Sequence, residues 1–393
     1  MNNKRWIILL IAAVLVTGAV SILLTRKIVL DKVDKGEIYI KADSYDEILD
    51  IYELRNIKKL IGEYYYKDID FEKILREGAS YGMVRELSDG YSSYYSEELF
   101  NLYYDTSVGY SDITSGMLLK EDKDYILVEK VFEGTSAYEA GILEGDRIIL
   151  VDDLSVKAVS FDLIKSYMKG LEGTTYEVTL ERGDEVMTLT VVRTDKEIRT
   201  VEYLTVSEDT GYIRVTEFSN KADEEFIAAV DDLQKARVKN LVIDLRNVRK
   251  GDIEKTIACA DLFIENVTFA SVESKGAEGI YYSATEGVTF EGKITVLVDG
   301  GTSEMAELFA YALKSNAGAR IAGTTTSGRT VITSLYKIPS SGSMLRLVTG
   351  TYLGGGNQVI NDVGLTPDRE ADLSQYGHML GKKEVLEILE TIA

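Results

Sequence analysis

The stretch ITVLVDGGTSEMAELFAYAL, residues 294–313, sets the fold class. Its first five residues are apolar or β-branched and read as a buried strand. DGGTSE is turn-forming, and residues 302–313 then read as a helix with Thr302 or Ser303 as its N-cap. Upstream, residues 211–215 and 241–245 read as strands flanking a helix that carries Phe226, Val230 and Leu233. A helix over 253–263 follows and contains Cys259 in the apolar setting Ile257-Ala258-Cys259-Ala260, which reads as a buried, inert thiol. Strand, crossover helix, strand is the rhythm of an α/β sheet with parallel pairing.

Further from this core the pattern changes. Residues 125–128 and 147–151 read as strands, 161–168 as a helix, and 176–180 with 186–192 as a hairpin across Arg182-Gly183-Asp184. Residues 45–66 carry Ile48, Ile51, Leu54, Ile57, Leu60 and Ile61 at helical spacing, and a second helical pattern covers 71–87. Residues 6–24, WIILLIAAVLVTGAVSILL, are uncharged and apolar behind Lys4 and Arg5. At about 1.5 Å per residue they can just span a hydrocarbon core of roughly 30 Å, so they read as an uncleaved signal anchor. Arg26, Lys27, Lys32 and Lys35 follow the run, so charge alone does not orient it.

Composition removes several function classes. The chain has 393 residues, with 44 Lys+Arg against 65 Asp+Glu and a formal net charge of −21, which disfavours nucleic acid as a partner. One cysteine rules out a disulfide framework or thiolate cluster; one histidine, His378, disfavours multi-His metal sites and His-based triads. No metal site or cofactor is expected.

Two resemblances add to this reading. The run Gly134-Thr135-Ser136-Ala137-Tyr138-Glu139-Ala140-Gly141-Ile142-Leu143-Glu144-Gly145-Asp146-Arg147-Ile148 looks like the signature of a PDZ domain of the bacterial protease type. Such domains add a peptide tail to a sheet edge and hold its carboxylate on backbone N–H groups. The resemblance implies a loop and strand at Gly116, Met117 and Leu118, facing a helix that presents Leu163, Ile164 and Tyr167. The alternative is a structural β-domain whose groove is shut or unused. Over residues 45–372 the chain also resembles the C-terminal processing peptidases, membrane-anchored or exported enzymes with a Ser/Lys dyad. The carriers are Leu87-Ser88-Asp89-Gly90-Tyr91-Ser92-Ser93-Tyr94, Asp244-Leu245-Arg246-Asn247 and Gly364-Leu365-Thr366-Pro367-Asp368, in family order.

That resemblance implies the site residues. A gapless match puts Ala306, directly before Glu307, at the nucleophile, Arg329 at the general-base lysine and Thr333 at a supporting glutamine. A methyl group cannot attack a carbonyl, and a guanidinium cannot give up its proton. The turn expected to help form the oxyanion hole reads Asn247-Val248-Arg249-Lys250-Gly251, with Lys250 in place of a glycine beside Gly251 and Arg249 in place of a proline. The expected architecture is an α/β (α+β) peptidase core with a PDZ-like β-domain inserted after N-terminal helices, behind one transmembrane helix. Its divisions are a cytoplasmic N-terminus (1–5), signal anchor (6–24), stalk (25–44), helical region (45–104), PDZ-like domain (105–198) and tail-specific-protease-like core (199–393). The expected function is that of a pseudopeptidase on the extracytoplasmic side of the cell membrane. It would bind polypeptide C-terminal tails or a dyad-intact paralogue. The alternatives are an active serine endopeptidase with a displaced nucleophile such as Ser303, and a structural envelope protein.

Overall fold

The computed structural model describes residues 45–70, 77–97, 100, 113–122, 124–157, 161–169, 172–194, 199–219, 221–276, 279–285 and 287–393. The expected anchor, N-terminus and stalk lie outside them. Among the described residues, no helix is long and apolar enough to cross a membrane. The chain divides into two compact units between Ala79 and Ser80. In the first, helix α1 (Tyr45–Tyr64) covers the first helical pattern. Of the second pattern, α2 (Ala79–Arg85) is the described α-helical part.

The second unit takes in all but the first residue of α2, continues with β1 (Ser93–Tyr95) and then builds a small β-domain. Its elements are β2 (Ile113–Thr114), β3 (Met117–Glu121), β4 (Ile126–Val131), α3 (Ser136–Glu139), β5 (Arg147–Val151), β6 (Leu154–Ser155), α4 (Phe161–Met168), β7 (Thr175–Arg182) and β8 (Glu185–Val192). They form a sheet ordered β2-β3-β4-β5-β7-β8, with β6 paired to β5. Met117, Leu119, Val128, Ile148, Ile164, Met168 and Val178 make its dry core. The Gly145-Asp146 turn is pinned because Asp146 is buried against Arg182, whose Nε and Nη2 donate to the carboxylate at 2.7 and 2.6 Å.

The remainder forms two sheets. Its elements are β9 (Val201–Thr205), β10 (Thr210–Val215), α5 (Ala222–Lys235), β11 (Asn240–Asp244), α6 (Ile253–Ala260), β12 (Thr268–Ser274), β13 (Ile280–Ser283), β14 (Lys293–Val298), α7 (Met305–Asn316), β15 (Arg320–Gly323), β16 (Val331–Lys337), β17 (Met344–Gly354), β18 (Arg369–Glu370) and α8 (Lys382–Ile392). The central sheet runs β18-β15-β14-β11-β10-β9. Its pairs are parallel except β9–β10, so the crossover rhythm read from the sequence is present. Helices α5, α6 and α7 pack on one face around Phe218, Phe226, Phe263 and Phe309. On the other, α8 brings Val385, Ile388 and Ile392 against Tyr212, Val242 and Leu297. An antiparallel sheet, β1-β17-β12-β13 with β16 on β17, has no counterpart in the sequence reading. Its long strand β17 is half-buried along most of its length, so it lacks the alternation that marks a strand with one wet face.

Candidate active site

The site is built where β14 leaves the central sheet and α7 begins. After Val298, Asp299 folds the loop: its Oδ1 accepts from the N–H groups of Asn247, Gly301 and Thr302 at 2.8, 2.9 and 3.0 Å. That carboxylate ties the loop to the end of β11, where Asn247 takes a left-handed φ of 59°. The expected caps do other work. Thr302 Oγ1 donates to the Leu245 carbonyl at 2.8 Å, and Ser303 Oγ to the Arg249 carbonyl at 3.1 Å. The N-cap is Glu304, whose φ of 53° and ψ of −119° are strained for a residue with a side chain. The helix therefore starts at Met305, later than the sequence pattern implies.

The segment carrying Arg329 is brought to this corner by hydrogen bonds. The Glu304 N–H donates to the Arg329 carbonyl at 2.9 Å, and the Ser327 N–H to the Thr302 carbonyl at 2.9 Å. Glu307, one turn into α7, is buried. Its carboxylate accepts from Thr326 Oγ1, from the Gly328 N–H at 2.7 Å and from the Arg329 N–H at 2.9 Å. Burial pushes its pKa above the ordinary carboxylate range against these hydrogen bonds, which favour the charged form. Arg329 is exposed, with its guanidinium 5.9 Å from the centre of the Tyr91 ring. Burial first, then the Glu304, Asp362 and Glu307 carboxylates, raise the Tyr91 pKa against the opposing pull of Arg329.

The sequence-derived residues thus fare differently. Arg329 lies beside the corner, as does the turn bearing Lys250 and Gly251. A Cβ on Gly251 would press on Phe218 and Met305, so this glycine serves close packing. Thr333 is exposed on β16, at a register shift between Ile332 and Thr333. Ala306, the second residue of α7, is fully buried, as are Met305, Glu307 and Leu308 beside it. Ser303 is buried with its hydroxyl committed to a carbonyl, which leaves it without a base. His378 contacts Arg214 and Thr216 rather than the corner. The Cys259 thiol is buried, and burial pushes its pKa up. Glu304, Glu307 and Asp299 were absent from the sequence-derived site, because nothing in their spacing reveals a strained corner.

The β-domain groove differs from expectation as well. Ser115 (φ 51°) and Gly116 (φ 88°) close a tight hairpin that pairs Thr114 with Met117 and Ile113 with Leu118. The edge of β3 expected to receive a tail is therefore paired at its start. The Ser115 carbonyl accepts from the Ala137 N–H at 3.1 Å and Ser136 Oγ at 3.2 Å. Thr135 sits where a Gly116 Cβ would stand. Met117 and Ile164 are fully buried in the domain core, and Leu118 is buried too. Tyr167 packs against that core, and its carbonyl accepts from Arg193 at 2.6 Å. The side chain of Leu163 lies outside the described residues.

A strand-to-helix corner on a parallel sheet, faced by a separate loop and joined to a PDZ-type β-domain, defines a peptidase-class scaffold. Comparison with known proteins makes this specific. The model of peptidase family S41 matches residues 209–371, a PDZ domain model matches 115–192, and the activating protease CtpB N-terminal domain model matches 15–99. Probable CtpA-like serine proteases of Staphylococcus aureus and Staphylococcus saprophyticus are each 27% identical. The matches cover 96% of this chain and 74% and 75% of those proteins. The photosystem II D1 C-terminal processing protease has the same fold, with a TM-score of 0.60 and 22% identity over 88% of this chain and 97% of that one. The chain belongs to the C-terminal processing peptidase family.

Proposed function

We propose that this protein is a non-cleaving member of its family, a membrane-tethered pseudopeptidase that holds polypeptide C-terminal tails or a dyad-intact paralogue. The observation that carries the reading is Arg329. Its backbone is fixed beside the α7 corner by the Glu304 N–H and by Glu307. A guanidinium keeps its proton in proteins, so the residue nearest the corner cannot serve as a base. The buried Ala306 methyl and the committed Ser303 hydroxyl leave no activated nucleophile at either of the positions considered for one. The uncharged run at 6–24 supports the tether, and the resemblance to exported peptidases, not the charge around the run, supports a body on the extracytoplasmic side.

The test uses the full-length chain in detergent micelles, incubated with an unfolded protein and with peptides bearing free or amidated C-termini. Saturable binding that amidation weakens, with no cleavage, is expected. Cleavage by the unmodified protein that Ser303→Ala abolishes would establish the displaced-nucleophile alternative instead. Carbonate-resistant sedimentation of the full chain, lost on deleting residues 1–29, tests the tether.

A further inference from the structure

We infer that the segment between β18 and α8 is an acid-released latch, closed on the central sheet by the neutral ring of His378, the only histidine in the chain. Protonating that ring loosens the segment, one wall of the site and the β-domain's anchor on β4 together. The latch operates whether the corner cuts or only binds.

The segment is gripped from the ends of β10 and β11. Arg246, just past β11, donates from Nη1 to the Leu373 and Tyr376 carbonyls at 3.2 and 3.4 Å, and from Nη2 to the Gly377 carbonyl at 3.0 Å. Tyr212 Oη accepts from the Leu380 N–H at 3.3 Å and donates to Asp244 at 2.8 Å. His378 sits inside this grip, with Nδ1 3.3 Å from Arg214 Nη2 and Nε2 3.5 Å from Thr216 Oγ1. A guanidinium has no acceptor, so Nδ1 must offer its lone pair, and the neutral ring carries its proton on Nε2.

The charges around the ring hold it in that state. Arg214 faces it from β10, Arg246 from the end of β11 and Lys130 from β4. The carboxylates on these elements are already engaged: Asp244 with both arginines, Glu202 with Lys130, Glu129 with Asn247 and the buried Glu217 with Ser219. Residues 373–381 carry no other charged side chain. Burial first, then the three cations, depress the imidazole pKa well below its ordinary range. On acidification the arginines and Tyr212 keep their protons. Asp244 resists gaining one: burial works against its charge, but Arg214 and Arg246 hold its carboxyl low.

Protonation of His378 therefore has a defined effect. Nδ1 can no longer accept from Arg214, and a fourth cation stands among three in a buried junction. Arg214 Nε is already buried without a partner among the described residues, so no acceptor there is free for a further donor. Arg214 also donates to the Asp244 and Arg246 carbonyls at 3.0 and 2.7 Å, directly before the Asn247–Gly251 turn. Repelling Arg214 slackens that wall of the site, and repelling Lys130 strains its pairing with Glu202.

The test uses the full-length chain in detergent micelles, purified without a histidine tag and grown on isotope-labelled histidine, so that one imidazole reports. NMR should show the Nε2–H tautomer near neutral pH and a titration midpoint below 6.5, which Lys130→Gln raises. An Nδ1–H tautomer, a midpoint at or above 6.5, or no response to Lys130→Gln overturns the latch. Hydrogen exchange is then compared at about pH 7.5 and about pH 4.5, corrected for the intrinsic pH dependence of exchange. Residues 373–381 should exchange about fivefold faster or more at the lower pH, while β14 keeps its protection. His378→Gln, which cannot gain a proton, should abolish that acceleration. Equal acceleration in both chains, or none in the unmodified one, overturns the proposal. Should His378→Gln fail to fold, the titration of the unmodified chain decides.

Discussion

Glu307 does the most work per side chain at the site, because one buried carboxylate takes donors from Thr326, Gly328 and Arg329 at once. Glu307→Gln keeps the shape but offers one acceptor oxygen in place of two and turns an amide toward backbone N–H groups. It should cost about 1–3 kcal/mol in urea unfolding near neutral pH. Its pKa is raised in the fold, so the stability linked to its protonation is fully present below the unfolded value of 4.5 and is lost as pH rises through the folded value. The Glu307→Gln variant should lack that decline. His378 behaves in the opposite sense. Burial first, then the Arg214, Lys130 and Arg246 charges, hold its pKa well below 6.5. Its contribution is therefore present above pH 6.5 and lost as pH falls toward the folded value. His378→Gln should flatten that loss, read from urea midpoints at about pH 7.5 and about pH 5.5. A buried Asp244 sits in the same neighbourhood; burial works against its charge, but the Arg214 and Arg246 guanidinia keep its pKa low.

At the scale of elements, β2 decides how the β-domain can be used. Its Thr114–Met117 pairing occupies the start of the edge that strand addition would require. Thr114→Pro removes one donor from that hairpin and should raise affinity for a free-carboxylate peptide, measured by fluorescence anisotropy. Unchanged affinity would mean that tails dock elsewhere. Helix α7 shows a different dependence on context. Its apolar residues announce a helix, but its first turn depends on whether Thr302 and Ser303 cap it or bind neighbouring carbonyls. Those carbonyls belong to Leu245 and Arg249, more than fifty residues earlier in the chain. Local propensity could not choose between the two uses, so the helix boundary slipped by three residues.

At the scale of the second unit, the β-domain and the core meet through charged groups on β4. Glu129 accepts from Asn247 Nδ2, and Lys130 pairs with Glu202 on β9. Asn247 also starts the turn that leads to Lys250 and Gly251, so Glu129 links the β-domain to one wall of the site. A double-mutant cycle of Glu129→Ala and Asn247→Ala, read by urea unfolding, should give a coupling of about 1–3 kcal/mol. Additive effects would show that the bond carries no energy between the two parts.

The sequence by itself determined the parallel α/β core, the β-domain hairpin and the family, because runs such as 294–298 and the Gly145-Asp146 turn carry local hydrophobic and steric signals. It also determined that Arg329 cannot act as a base, which follows from guanidinium chemistry alone. Only the tertiary structure decided that Ala306 is buried, that Glu304 turns the corner, and that β2 lies along the edge of β3. Each of these depends on hydrogen bonds or packing between segments far apart in the chain or on the handedness of single residues. Neither hydropathy period nor turn composition encodes which distant carbonyl a serine will find, or which residue bears the strain.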